Sequence, residues 1–176
     1  MFDNEIKIFG KHATYLKFIS KQTKKNNRDA KIAPIFNRNI DVYMAAAIIG
    51  AVKNRRAPLD SGPGADSTSI FAGQVIANEP QLKLLYRMIL ITDMSSNKTE
   101  EERIDFVFRS TENEEIAKGL AIFNSYVRGG IEWLYEKITE DATSEEQYIE
   151  NLYNLVEEFN EMYYESNNVS PDDLFN

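Results

Sequence analysis

Apolar residues recur at three- and four-residue spacing through most of the chain, the period of one face of an α-helix. Tyr15, Leu16, Phe18 and Ile19 open the pattern and predict a helix from about Lys11 to Lys24, after Gly10. The segment KKNNRDAK is polar and reads as a connector, and residues 32–36, broken by Pro34, read as one short extended piece. Asp41 precedes VYMAAAIIGAVK, where its carboxylate is placed to accept from free amides of a helix start. That helix is apolar almost all round, which predicts a buried central element, and Gly50 within it predicts a close helix crossing. Residues 54–69, NRRAPLDSGPGADSTS, collect two prolines, two glycines and small polar side chains, and predict a long mobile loop able to carry a binding element.

After the loop the helical period returns in IFAGQVIANE and, with Pro80 at a first turn, in QLKLLYRMILITDM. Thr99 and Glu102 have the spacing of a reciprocal helix-start box, with Glu100 and Glu101 on the positive end of the helix dipole. A further start between Ser110 and Glu115 leads into a helix with Ile116, Leu120, Phe123, Val127, Ile131 and Leu134 on one face. Gly129-Gly130 interrupts that stretch, as a kink or a close crossing of another helix. Ser144 opens the last helix, strongly amphipathic, and the tail 166–176 reads as frayed. With no repeat of fixed period and no alternation that demands a sheet, the prediction is an all-α fold of six or seven helices in a single domain, residues 1–176.

Composition removes several classes of function. The 176 residues include no cysteine, so disulfides, thiolate zinc sites and cysteine nucleophiles are out, and a cytoplasmic setting is expected. No apolar run approaches the ~18 residues of a membrane span. His12 is the only histidine, and beside lysines it is expected at the surface or boundary rather than as a general base. Neither a metal site nor a cofactor is expected. The acidic cluster Glu100, Glu101, Glu102 and Asp105 is explained by its helix start; a carboxylate-metal hydrolase, which could draw on it or on Asp60 with Asp66 or Asp93 with Asp105, is a lesser alternative. The glycines of 54–69 lack the lysine that a phosphate-binding loop requires.

The net charge of -8 is divided unevenly. Residues 1–60 carry 12 Lys and Arg against 5 Asp and Glu, whereas residues 61–176 carry 8 against 23. Two basic runs, with Lys24, Lys25 and Arg28 in one and Lys53, Arg55 and Arg56 in the other, are the candidates for a DNA phosphate backbone. The competing reading is that the basic part is neutralised by the acidic part inside one molecule. The last helix presents Tyr148, Tyr153, Phe159 and Tyr163 as candidate contacts to a protein partner or a second copy, because tyrosine buries large area at modest entropic cost.

The strings IDVYMAAAIIGAVKNRRAPLD, STSIFAGQV and IFNSYVRGGIEWLYE resemble the DNA phosphorothioation-associated protein 4 family, also called Dnd system-associated protein 4. Members show an alanine-rich helix, a basic turn ending in proline, and a terminal helix entered through Gly-Gly. The resemblance covers residues 35–135, with 76–118 and the helix from Ser144 departing from it. Arg55, Arg56, Gly129 and Gly130 match, and no catalytic residue is carried over. The resemblance implies a bacterial protein encoded beside DNA-modification, restriction or phage-defence genes, with a supporting rather than a catalytic role. The expected mode of action is protein contact, with DNA backbone contact through the basic runs as an addition. The acidic half keeps one alternative, a phage-type inhibitor that mimics DNA.

Overall fold

The computed structural model describes residues 1–20, 35–95, 98–109 and 112–167. In chain order these form β1 (Ile6–Phe9), α1 (Gly10–Ile19), α2 (Asn39–Val52), β2 (Ser67–Ile70), α3 (Ala72–Ala77), α4 (Glu79–Thr92), α5 (Glu100–Phe108), α6 (Asn113–Thr139) and α7 (Glu145–Asn167). The fold is mostly α, as the helical period requires. The chain divides into two compact units, Met1–Tyr135 and Glu136–Asn176.

In the first unit α2 is the central helix: Ile40, Val42, Tyr43, Ala46 and Ala47 are all buried. It starts earlier than Asp41 suggests, with Arg38 at the cap, and the Asp41 carboxylate accepts from the Arg38 guanidinium at 2.6 and 2.9 Å instead of from backbone amides. Small residues let α2 cross α6 with backbone near backbone. A Cβ on Gly130 would overlap the Ala46 carbonyl, and one on Gly50 would overlap the carbonyl of Tyr126. α6 therefore runs unbroken through Gly129-Gly130, and of the two forms of interruption expected there the crossing is the one observed. Phe123 then anchors an aromatic cluster, with Phe2, Tyr43 and Tyr86 around it at ring distances of 6.0 Å each.

Thr99 and Glu102 form the reciprocal start of α5, and Pro80 sits in the first turn of α4, both as the sequence indicates. The sheet does not follow from the sequence pattern. β1 and β2 pair antiparallel, Ile6 with Ile70 through Phe9 with Ser67, so part of the predicted loop and helix start is strand. Each strand has four residues, too few to display an alternation, and the pairing is set by tertiary packing. α1 ends at Ile19, ahead of the predicted Lys24. Of the extended piece at 32–36, Phe36 makes a parallel bridge with Ser20, while 32–34 lie outside the described residues.

In the second unit the end of α6 turns through Asp141, which takes a left-handed φ of 53°. Asn151 of α7 donates to the carbonyls of Ile138 and Glu140 at 3.1 and 2.8 Å, covering acceptors that a helix end leaves open. Ser144 opens α7 as predicted, and it caps the helix reciprocally with Gln147. α7 is described to Asn167, and the tail from 168 lies outside the described residues.

Gly130→Ala is expected to destabilise by about 2–3 kcal/mol, because neither backbone at the crossing can retreat. Gly73→Ala in α3, where an added Cβ meets nothing within 4 Å, is expected to stabilise by up to about 1 kcal/mol. Urea unfolding of the two variants checks the contrast, and equal effects would remove the crossing as a constraint.

Candidate functional site

The four residues that carry the family resemblance meet in space. α2 closes with a left-handed Asn54 at φ 47°, and two backbone bonds seal the turn: Asn54 N–H to Ala51 O at 3.0 Å and Arg55 N–H to Gly50 O at 2.7 Å. This pair of bonds is the Schellman ending, for which asparagine is the usual substitute for glycine. The turn delivers the Arg55 carbonyl onto Gly129, where a side chain would collide with it. Ala57 N–H then donates to the Ser125 carbonyl at 2.9 Å, and Arg128 Nε donates back to the Ala57 carbonyl at 2.9 Å. Arg55-Arg56 is thus strapped along α6.

The two guanidinium groups point into different networks. Arg56 donates from Nε to Ser125 Oγ at 2.9 Å and from Nη1 to Ser95 Oγ at 2.5 Å, lies 5.3 Å from the Tyr126 ring centre, and stands 3.9 Å from Asp93. Asp93 is buried and also accepts from the Tyr126 hydroxyl and the Ser95 amide, each at 3.0 Å. Burial pushes the Asp93 carboxyl up, but these bonds and Arg56 outweigh it and hold the group below the usual carboxylate range.

Arg55 Nη2 stands 3.7 Å from Glu132, the hub of the second network. Glu132 Oε1 accepts from Lys11 Nζ at 2.8 Å and from His12 Nε2 at 2.9 Å. Burial alone would raise Glu132, yet the Lys11 and His12 bonds leave it below its ordinary value. Burial lowers His12, with Glu132 opposing, so the neutral ring donates Nε2–H to an ionised carboxylate. His12 is fully buried and belongs to the core, against the expectation of a surface or boundary position; its Nδ1 is buried without a partner. The partner of its Nε2, Glu132, lies 120 positions away in sequence.

Lys53 stacks over Trp133 with Nζ 5.0 Å from the ring centre. Lys24, Lys25 and Arg28 lie outside the described residues. The segment expected as a mobile loop is tied at several points: Asp60 accepts from the Lys11 amide at 2.8 Å, and Asp66 accepts from Thr14 at 3.0 Å and Lys17 at 2.5 Å. Lys11, Lys17, Arg55 and Arg56 all pair with acids from the 61–176 half, the intramolecular neutralisation that the charge division allowed. Among the described residues, no group of three His, Asp or Glu side chains could hold a metal ion. The acids of 100–102 serve the start of α5, and Asp105 pairs with Arg109 at 2.7 Å.

On α7 the four aromatic candidates divide between two stripes. Tyr148 and Phe159 are half-buried on the stripe that includes buried Leu155, whereas Tyr153 and Tyr163 are exposed. Ile149 and Val156 join Tyr153 on the exposed stripe, with 56%, 51% and 61% of their surfaces open. Sequence reasoning missed Glu132, Lys11 and Ser125, and it considered Asp93 only beside Asp105, whereas Asp93 serves Arg56, Tyr126 and Ser95. Only Glu132 left a signal, a lone acid within the apolar string GGIEWLY.

This is a mostly helical protein whose basic turn is built into its core framework, with no helix among the described residues long and apolar enough to cross a membrane. A family model, DNA sulphur modification system-associated protein 4, matches residues 16–170, and the chain belongs to that family. The match also takes in 76–118 and α7, which the motifs alone left aside. No curated protein and no solved structure matches the chain.

Because His12 is the only histidine, it governs the neutral pH range. Unfolded, the ring protonates near pH 6.5; folded, only at lower pH. The contribution is therefore complete above about pH 6.5 and is lost as pH falls, with Glu132 and Asp93 losing theirs in the same direction at still lower pH. The thermal midpoint is expected to decline between about pH 6.5 and 5, and His12→Gln to flatten that interval. An unchanged slope in the variant would contradict the assignment.

Proposed function

We propose that the chain is a non-catalytic accessory of the DNA sulphur modification system, acting in the cytoplasm by binding another protein of that system through α7. The observation that supports this most is the exposed stripe of Ile149, Tyr153 and Val156, spaced four and three residues apart on one face. Glu146, Glu150, Glu157 and Glu161 are exposed and follow one edge of the stripe at helical spacing. The complementary partner has an apolar groove with a lysine- or arginine-bearing rim, whereas a second copy of α7 would bring a second row of carboxylates.

The turn at Arg55 and Arg56 offers less to DNA than its sequence suggests. Both side chains already serve internal carboxylates. Reversing their charge would set two acids against Glu132 and buried Asp93, so such a variant reports on folding before it reports on phosphate binding.

Changing Ile149, Tyr153 and Val156 together to lysine leaves the fold intact, because all three are exposed. Association with tagged proteins of the modification system is expected to fall by at least about tenfold, measured by co-purification and titration. Undiminished association would overturn the α7 interface. Transfer of binding to duplex DNA, steeply weakened by salt, would favour the backbone-contact reading instead.

A further inference from the structure

A cavity of about 460 Å³ lies within the first unit between the N-terminal segment and α6. Its size is typical of small-molecule sites. Its apolar walls come from Phe2, Ile8, Tyr43, Leu120, Val127 and Ile131. Two polar side chains from adjacent turns of α6, Asn124 and Arg128, also line it, and helical spacing makes them neighbours.

The polar end of this cavity offers donors without matching acceptors. Tyr43 hydroxyl donates to Asn124 Oδ1 at 2.6 Å, which turns the Asn124 carbonyl toward the buried phenol and leaves its amide N–H groups uncommitted. Arg128 spends one of its five N–H donors on the Ala57 carbonyl. Among the described residues no carboxylate forms an ion pair with Arg128. Glu132 acts on it only at longer range and already serves Lys11, His12 and Arg55. A half-buried guanidinium is ordinarily paired, because taking the charge out of water costs more than an isolated hydrogen bond returns. At the mouth, exposed Glu5 and Lys7 carry opposite charges and leave that balance unchanged.

We propose that the cavity binds a small amphipathic anion, a carboxylate or phosphate held by Arg128 and Asn124, with an aliphatic or aromatic body against the apolar wall. Arg128 supplies a fork that matches two oxygens of either head group. The cavity is independent of the α7 stripe, so loss of one leaves the other standing.

Calorimetric titration of the full chain with octanoate and with octyl phosphate separates the two head groups, and 1-octanol and inorganic phosphate test each half of the ligand alone. At least one anion is expected to bind one-to-one, with both half-ligands weaker by at least about tenfold. Arg128→Gln is expected to weaken that binding by at least about tenfold. Ala121→Phe fills the mouth from an exposed position of α6, spares Arg128, and is expected to do the same, which keeps the test open should Arg128→Gln unfold. Failure of both anions to bind at millimolar concentration, octanol binding as tightly as octanoate, or wild-type affinity in either folded variant would overturn the proposal.

Discussion

The close passage of α2 over α6 is the constraint on which the first unit depends. Gly50 and Gly130 bring each helix against a carbonyl of the other, at Tyr126 and Ala46, and that approach fixes where α2 must end. Asn54 turns the chain, Arg55 lands on Gly129, and Arg56 is carried to Ser125 and buried Asp93. Any side chain at either crossing glycine would push the helices apart and pull this turn off α6.

The same passage organises the charges. Glu132 follows Gly129-Gly130 by half a turn, so the helix that receives the α2 turn also presents the carboxylate that gathers Lys11, His12 and Arg55. A basic N-terminal part and an acidic remainder thus become local pairs. Surface pairs of this kind contribute little each, but Asp93 is buried and Glu132 largely so, both hydrogen-bonded, where loss of a partner is costly. Arg128, on the same helix, is the cation these pairs pass by.

Periodicity made most of the helices legible, because α4, α6 and α7 keep a continuous apolar face and α5 and α7 carry side-chain caps. It could not reveal β1 and β2, whose four-residue strings IKIF and STSI acquire strand geometry only by pairing with each other. The Arg-Arg turn and the Gly-Gly pair were visible as motifs, yet their meeting was not: the contact joins positions more than 70 residues apart. His12 shows the same limit, since neighbouring lysines suggested the surface while the ring is buried against Glu132, a partner distant in sequence. On α7 the aromatic spacing was legible, but which stripe is covered depends on packing at Leu155 and Asn151.

Amide hydrogen exchange across residues 54–57 tests the central claim directly, namely that the basic turn is a structural strap and not a free surface loop. Arg55 and Ala57 amides, bonded to Gly50 and Ser125, are expected to exchange as slowly as the amides of α6 around Tyr126. Exchange at the rate of an open loop, with α6 still protected, would contradict the account and return Arg55 and Arg56 to the surface for binding.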